Sequence, residues 1–286
     1  MTHSTRFLDG VRVVTIAQNV PGPLAAARLT HAGARVIKVE PLAVDPLLAL
    51  SPAWHAEMHE GIAIERLDLK ADGGRTRMVA LLDDADLFLT SQRPSALARL
   101  ELDPDRVLEI RPRLRILQIF GSLRDPEHAG HDLTYQAQVG LIGDAMPRTL
   151  TADVMASERA FAAALALLRQ PPGSVMDVGL VESLEPMLAP LRYGLTAPGG
   201  VLGGGAPRYR LYPTRTGPVA VAALEPHFEV RLYRELGLTS GSDLASRLIE
   251  RTATDWEAWA RERDLPIVAV RDVDRSGETP QMLTGE

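Results

Sequence analysis

The feature that most constrains this chain is the alternation with which it opens. Residues 11–17 are a short β-branched run that reads as a strand. Pro21-Gly22-Pro23 breaks it, residues 24–31 are alanine-rich and helical, and Gly33 stands where a helix C-cap is expected. Residues 36–40, Val-Ile-Lys-Val-Glu, read as a second strand. Strand, helix and strand within roughly 30 residues make a parallel βαβ crossover. The Gly-Pro turn would offer backbone amides to a phosphate. No complete GxGxxG or Walker sequence accompanies it, and a plain crossover accounts for the same residues.

The alternation continues. Strands are expected at 62–69, 87–90, 114–120 and 175–178, and helices at 75–82, 94–100, from Asp103-Pro104-Asp105, at 151–169 and at 182–191. Residues 41–60, proline-bearing, are expected to be an irregular surface excursion. The predicted fold is α/β: a doubly wound, Rossmann-like parallel sheet forming a large domain over residues 1–196. A glycine-rich stretch over 197–207 reads as a linker. Residues 208–286 read as a small α+β domain. It has an antiparallel pair at 209–212 and 219–224, helices at 227–236, 242–250 and 255–263, a last strand at 266–270, and a frayed end at 276–286. Trp256 and Trp259 are expected in its core or at an interface.

Composition narrows the function classes. With net charge -6 over 286 residues, no basic surface speaks for nucleic acid or an anionic membrane. The absence of cysteine excludes disulfides, thiolate metal sites and cysteine nucleophiles. No apolar run approaches the roughly 18 residues of a membrane span, and the polar residues 1–6 show no signal core. The expectation is a cytoplasmic enzyme with no metal; seven histidines are present, with no metal-type histidine pair anticipated.

Ala129-Gly130-His131-Asp132 follows the apolar strand at 114–120, and ligands of open α/β sheets bind at the carboxyl ends of strands. An imidazole beside a carboxylate there suits acid–base or nucleophilic work, and equally a turn closed by a local hydrogen bond. Asp153 opens the helix at 151–169. It reads both as a helix-start residue and as a base.

Taken together, several pieces resemble a known family. They are Leu8-Asp9-Gly10-Val11-Arg12-Val13, Pro21-Gly22-Pro23, Gly33-Ala34-Arg35-Val36-Ile37-Lys38-Val39-Glu40, Leu67-Asp68-Leu69-Lys70, Arg93-Pro94, Gly130-His131-Asp132-Leu133, Asp177 and Ala223-Leu224-Glu225-Pro226. They resemble, over residues 8–273, the family III CoA-transferases (CaiB/BaiF type), which include the α-methylacyl-CoA racemases. The resemblance implies a coenzyme A thioester as substrate, with no permanently bound cofactor. Its nucleotide tail would lie on the first βαβ unit, against Ala17, Gln18, Pro21, Gly22, Lys38, Ser91, Gln92 and Arg99. In the transferase branch Asp132 matches the carboxylate that attacks the thioester, forms a mixed anhydride and passes CoA to a free carboxylic acid. In the racemase branch His131 and Asp153 match two bases on opposite faces of the α-carbon, and Glu225 matches the support of the histidine. A CoA-binding homologue without catalysis is the reading from another class. The resemblance also implies a homodimer.

The chain departs from the family pattern in places. Val154-Met155-Ala156-Ser157-Glu158 stands where glycines are usual, so Glu158 is expected to oppose an enolate. Ile62-Ala63-Ile64-Glu65 replaces a basic pair, and Asp45-Pro46 lacks its usual glycine and arginine. Little follows Val273, so closure by a long returning segment is not expected. Gln136, in Tyr135-Gln136-Ala137, points toward the broader transferase group.

Overall fold

A computed structural model describes residues 6–43, 45–143, 145–239 and 243–272. The chain divides into two compact units, Met1–Leu188 and Ala189–Glu286.

The first unit holds six parallel strands: β1 (Arg12–Thr15), β2 (Arg35–Glu40), β3 (Ala63–Arg66), β4 (Leu87–Thr90), β5 (Arg115–Phe120) and β6 (Val175–Gly179). Their order across the sheet is β3-β2-β1-β4-β5-β6, with the reversal between β1 and β4. Side chains alternate between faces, as the period of two requires. Val13, Leu87, Leu89, Leu117 and Ile119 enter one core with α1 (Pro21–His31) and α8 (Thr151–Leu168). Val14, Phe88 and Ile116 enter the opposite core with α4 (Asp72–Asp83), α5 (Pro94–Arg99) and α6 (Pro104–Ile110). Helices therefore cover both faces, and the sheet is doubly wound, as the strand–helix alternation predicts.

The differences from the sequence reading are local. Residues 41–60 are not irregular: they contain α2 (Pro46–Leu50) and α3 (Pro52–Met58). Each starts on a proline, whose fixed φ and missing N–H suit a helix's first position. Helix α7 (Asp132–Gln138) follows His131 directly, and the expected helix at 182–191 is broken into α9 (Leu180–Leu184), a 3₁₀ turn at Glu185–Leu188 and α10 (Ala189–Arg192).

In the second unit β7 (Tyr209–Pro213), β8 (Pro218–Ala222) and β9 (Ile267–Ala269) form an antiparallel sheet in that order. Helices α11 (Pro226–Leu236), α12 (Leu244–Leu248) and α13 (Ala253–Arg261) pack with it around Tyr212, Val219, Leu232 and Trp256. Trp256 is buried with its indole N–H on the Leu248 carbonyl at 2.7 Å, a core residue. Residues 197–207, read from composition as a linker, lie within this unit. They form a closed turn in which the Leu202 amide bonds the Leu195 carbonyl (2.8 Å) and the Gly205 amide bonds that of Gly200 (2.9 Å). The start of the helix expected at 242–250 and the frayed end at 276–286 fall outside the described residues.

Candidate active site

Strand β5 ends at Phe120 and the chain reaches His131 and α7 through a loop pinned to α9. Glu182 Oε1 accepts from Ser122 Oγ and from the Leu123 amide, both at 3.0 Å. His131 is exposed at the start of α7, and its amide donates to Thr134 Oγ1 at 3.0 Å. Tyr135, on the inner face of α7, lies against Gly121 and Gly130; a β-carbon at Gly121 would overlap its hydroxyl.

Asp132, unlike the exposed His131, is turned inward as well. It is buried, and its carboxylate accepts three N–H donors. Oδ1 takes the amides of Ala152 (2.7 Å) and Asp153 (3.1 Å), and Oδ2 takes Gln136 Nε2 (2.5 Å). The reason lies in α8. Its first-turn amides have no intrahelical acceptor, and the residue before it, Leu150, has no polar side chain to supply one. Asp132 caps the helix from 20 residues upstream. Asp153, the third residue of α8, is therefore held next to Asp132 by its own backbone. Its half-buried carboxyl is pushed up to about 7, by burial first and by the Asp132 charge second. Burial, with the Asp153 charge, also raises the Tyr135 hydroxyl, and Arg93 partly offsets this. Glu158 does not stand free to oppose an enolate, because it forms an ion pair with Arg28 of α1.

A cleft of about 420 Å³ lies over the carboxyl ends of β1, β2 and β4, beside the strand-order reversal. Its lining includes Ile16, Gln18, Val39, Leu69, Lys70 and Gln92. Of the residues expected to hold coenzyme A, Gln18 and Gln92 line it. Ser91 closes the turn beneath, its Oγ accepting the Gln18 amide at 3.2 Å, and Ala17 is buried behind it. Arg99 is exposed on α5. Pro21 and Gly22 offer less than the turn suggests. Two of the first three residues of α1 are prolines without an N–H, all three are buried, and Gly22 serves to let the helix pack on Ala17. Lys70 lines this cleft and Arg93 follows Gln92 directly; both cations stand in the segments carrying the resemblance, which is the signal that marks them in the sequence.

Lys38, expected among the CoA ligands, does not reach the surface. It is fully buried, and its ammonium is spent on Asp45 (2.9 Å), His59 Nε2 (2.8 Å) and Glu40 (3.1 Å), so it has no free face for a phosphate. Burial alone would raise Asp45; the bonds from Lys38 and the Leu47 amide outweigh it and hold the carboxyl below its usual value. Burial lowers His59. With Nδ1 on the His55 carbonyl at 2.6 Å and Nε2 facing the ammonium, its ring is the neutral Nδ1–H tautomer. His55-Ala56-Glu57-Met58-His59 does carry a metal-type spacing of four, contrary to expectation, and Glu40, His55 and His59 bring ligand atoms within 4.8 Å of one another. Lys38 already supplies a cation to two of these three residues. Glu225 lies in the second unit, exposed, immediately before α11.

The parallel sheet with order β3-β2-β1-β4-β5-β6, helices on both faces and a cleft beside its order reversal, defines a doubly wound α/β protein. The chain belongs to CoA-transferase family III, whose model matches residues 8–286. It is 30% identical to α-methylacyl-CoA racemase of Mus musculus over 87% of this chain and 68% of that protein. It is 25% identical to CaiB/baiF CoA-transferase family protein ZK892.4 of Caenorhabditis elegans, over 96% and 89%. The crystal structure of Rv3272 from Mycobacterium tuberculosis shares the fold, with a TM-score of 0.82 at 22% identity, covering 95% of this chain and 86% of that one. Among the described residues no helix is long and apolar enough to cross a membrane.

Proposed function

We propose that this protein processes acyl-CoA thioesters by moving the α-proton, with Asp153 and His131 as the acid–base pair and Asp132 as the anchor that places Asp153. The observation that carries the reading is the division of labour between two neighbouring carboxylates. Asp132 is buried with both oxygens committed to N–H donors, which leaves a thioester carbon little access to a lone pair. Asp153 is half-buried and raised to about 7, where a carboxyl group both takes and returns a proton near neutral pH. His131, exposed one residue before Asp132, supplies the second base. The amides of Asp132 and Leu133, which open α7, are suited to the enolate oxygen. The cleft lined by Gln18, Gln92 and Lys70 would take the nucleotide end of the CoA.

CoA transfer through Asp132 to a free carboxylic acid is the second reading, favoured by membership of a family named for that reaction. One experiment separates the two. The protein is incubated in D2O with a 2-methylacyl-CoA and an unrelated free acid, and the products are read by mass. Deuterium at the α-carbon, lost in His131→Gln and Asp153→Asn but only reduced in Asp132→Asn, supports proton transfer. CoA moved onto the acid, with an Asp132 thioester trapped by hydroxylamine and abolished by Asp132→Asn, replaces it with transfer. The same reading has a cytoplasmic homodimer. The cysteine-free composition and the exposed apolar Met146 and Leu150 ahead of α8 support it, and light scattering tests the dimer.

A further inference from the structure

Gln136 lies on α7 one turn after Asp132 and is itself buried. Its Nε2 donates to Asp132 Oδ2 at 2.5 Å and reaches the Thr149 carbonyl at 3.4 Å. Both neighbours only accept, so the nitrogen of the amide has to face them. One side chain thus joins three pieces: the start of α7, the segment just ahead of α8, and the carboxylate that caps α8. Oδ1 of Asp132 is fixed by the α8 amides and Oδ2 by Gln136. Without that second fixed point the carboxylate is free to turn about its terminal torsion, which has no sharp minima of its own. Its bonds to Ala152 and Asp153 then loosen.

We propose that Gln136 is a positioning residue for the proton-transfer pair: by fixing the Asp132 carboxylate against the start of α8, it sets the place and the electrostatic surroundings of Asp153. The proposal rests on the reading that Asp153 exchanges a proton with the substrate. The Asp132 charge acts on Asp153 through a distance that Gln136 holds constant. The other charged or titratable groups around this region are His131 directly before α7, Tyr135 on α7, Arg93 just before α5, and the Glu158–Arg28 pair between α8 and α1. None of them bonds to Gln136 among the described residues, so a change at Gln136 reaches Asp153 through Asp132.

The test uses Gln136→Met, which keeps the volume and removes the donors, and Gln136→Glu, which donates to Asp132 only while protonated. Asp153 is titrated by carbon-13 NMR of its carboxyl, assigned with Asp153→Asn, beside the pH profile of α-deuterium incorporation and a urea unfolding curve. In Gln136→Met the Asp153 midpoint and the acid limb of the profile are expected to fall together by roughly half a pH unit or more. The exchange rate should fall by about ten- to a hundredfold. Gln136→Glu is expected to exchange at near the unsubstituted rate at acid pH and to lose exchange as the new carboxyl ionises. A folded Gln136→Met with an unmoved Asp153 midpoint overturns the proposal. If the methionine variant does not fold, Gln136→Asn, one methylene short of Asp132, carries the same comparison. A shifted midpoint with no deuterium incorporated by any variant supports the positioning role and removes the proton-transfer reading instead.

Discussion

Replacing Asp153 by asparagine should make the protein more stable at pH 8 while destroying its proton exchange. The folded state raises the Asp153 carboxyl from an ordinary 3.8 to about 7. A carboxyl raised on folding contributes stability that is fully present below its unfolded value and is lost as pH rises through its folded value. The unsubstituted protein therefore loses stability on account of Asp153 between about pH 4 and pH 7, and holds a constant deficit above that. Roughly three units correspond to an upper bound of ~4 kcal/mol, and water reaching the half-buried group should leave ~1–3 kcal/mol. Asparagine cannot ionise, and its backbone amide still reaches Asp132. Urea unfolding of both proteins at pH 4.5 and pH 8 measures the difference, which should be small at the lower pH and favour asparagine at the higher. An ordinary aspartate in a helix's first turn predicts the opposite sign, since the helix dipole favours its charge by about 0.3–1 kcal/mol. An asparagine variant less stable at pH 8, or a difference that does not change with pH, would refute a raised Asp153 and with it the choice of this residue as the base.

Lys38→Met should cost about 3–5 kcal/mol in urea unfolding, because it strands two buried carboxylates. Unchanged stability with weakened CoA binding would return Lys38 to the role of phosphate ligand. Gly121→Ala should cost about 1–3 kcal/mol by driving a methyl group into Tyr135. A melting temperature within error of the parent would mean that Tyr135 does not pack there. His131→Gln should leave stability within about 0.5 kcal/mol, as the side chain is exposed. Exchange should be lost, and an active His131→Gln protein would remove the imidazole from the chemistry.

The alternation of β-branched runs with alanine-rich helices was enough to read the doubly wound sheet, because strand and helix periods are written locally and a short βαβ segment admits few arrangements. His131, Asp132 and Asp153 could be picked out for the same kind of reason: they follow a buried strand or open a helix, positions visible in the chain itself. Helices α2 and α3 escaped because their prolines resembled breakers, whereas at a first helical position proline is compatible with the turn. The roles of the charged residues could not be read that way. Lys38 is a buried ion-pair centre because β2 and α3 bring Glu40 and His59 around it. Asp132 and Asp153, 21 residues apart, differ in chemistry because one caps the helix on which the other stands. Local pattern fixed the elements and the candidate residues. Only packing decided which charges were paired and which were buried, since the energy of a charge depends on neighbours that the linear order does not name.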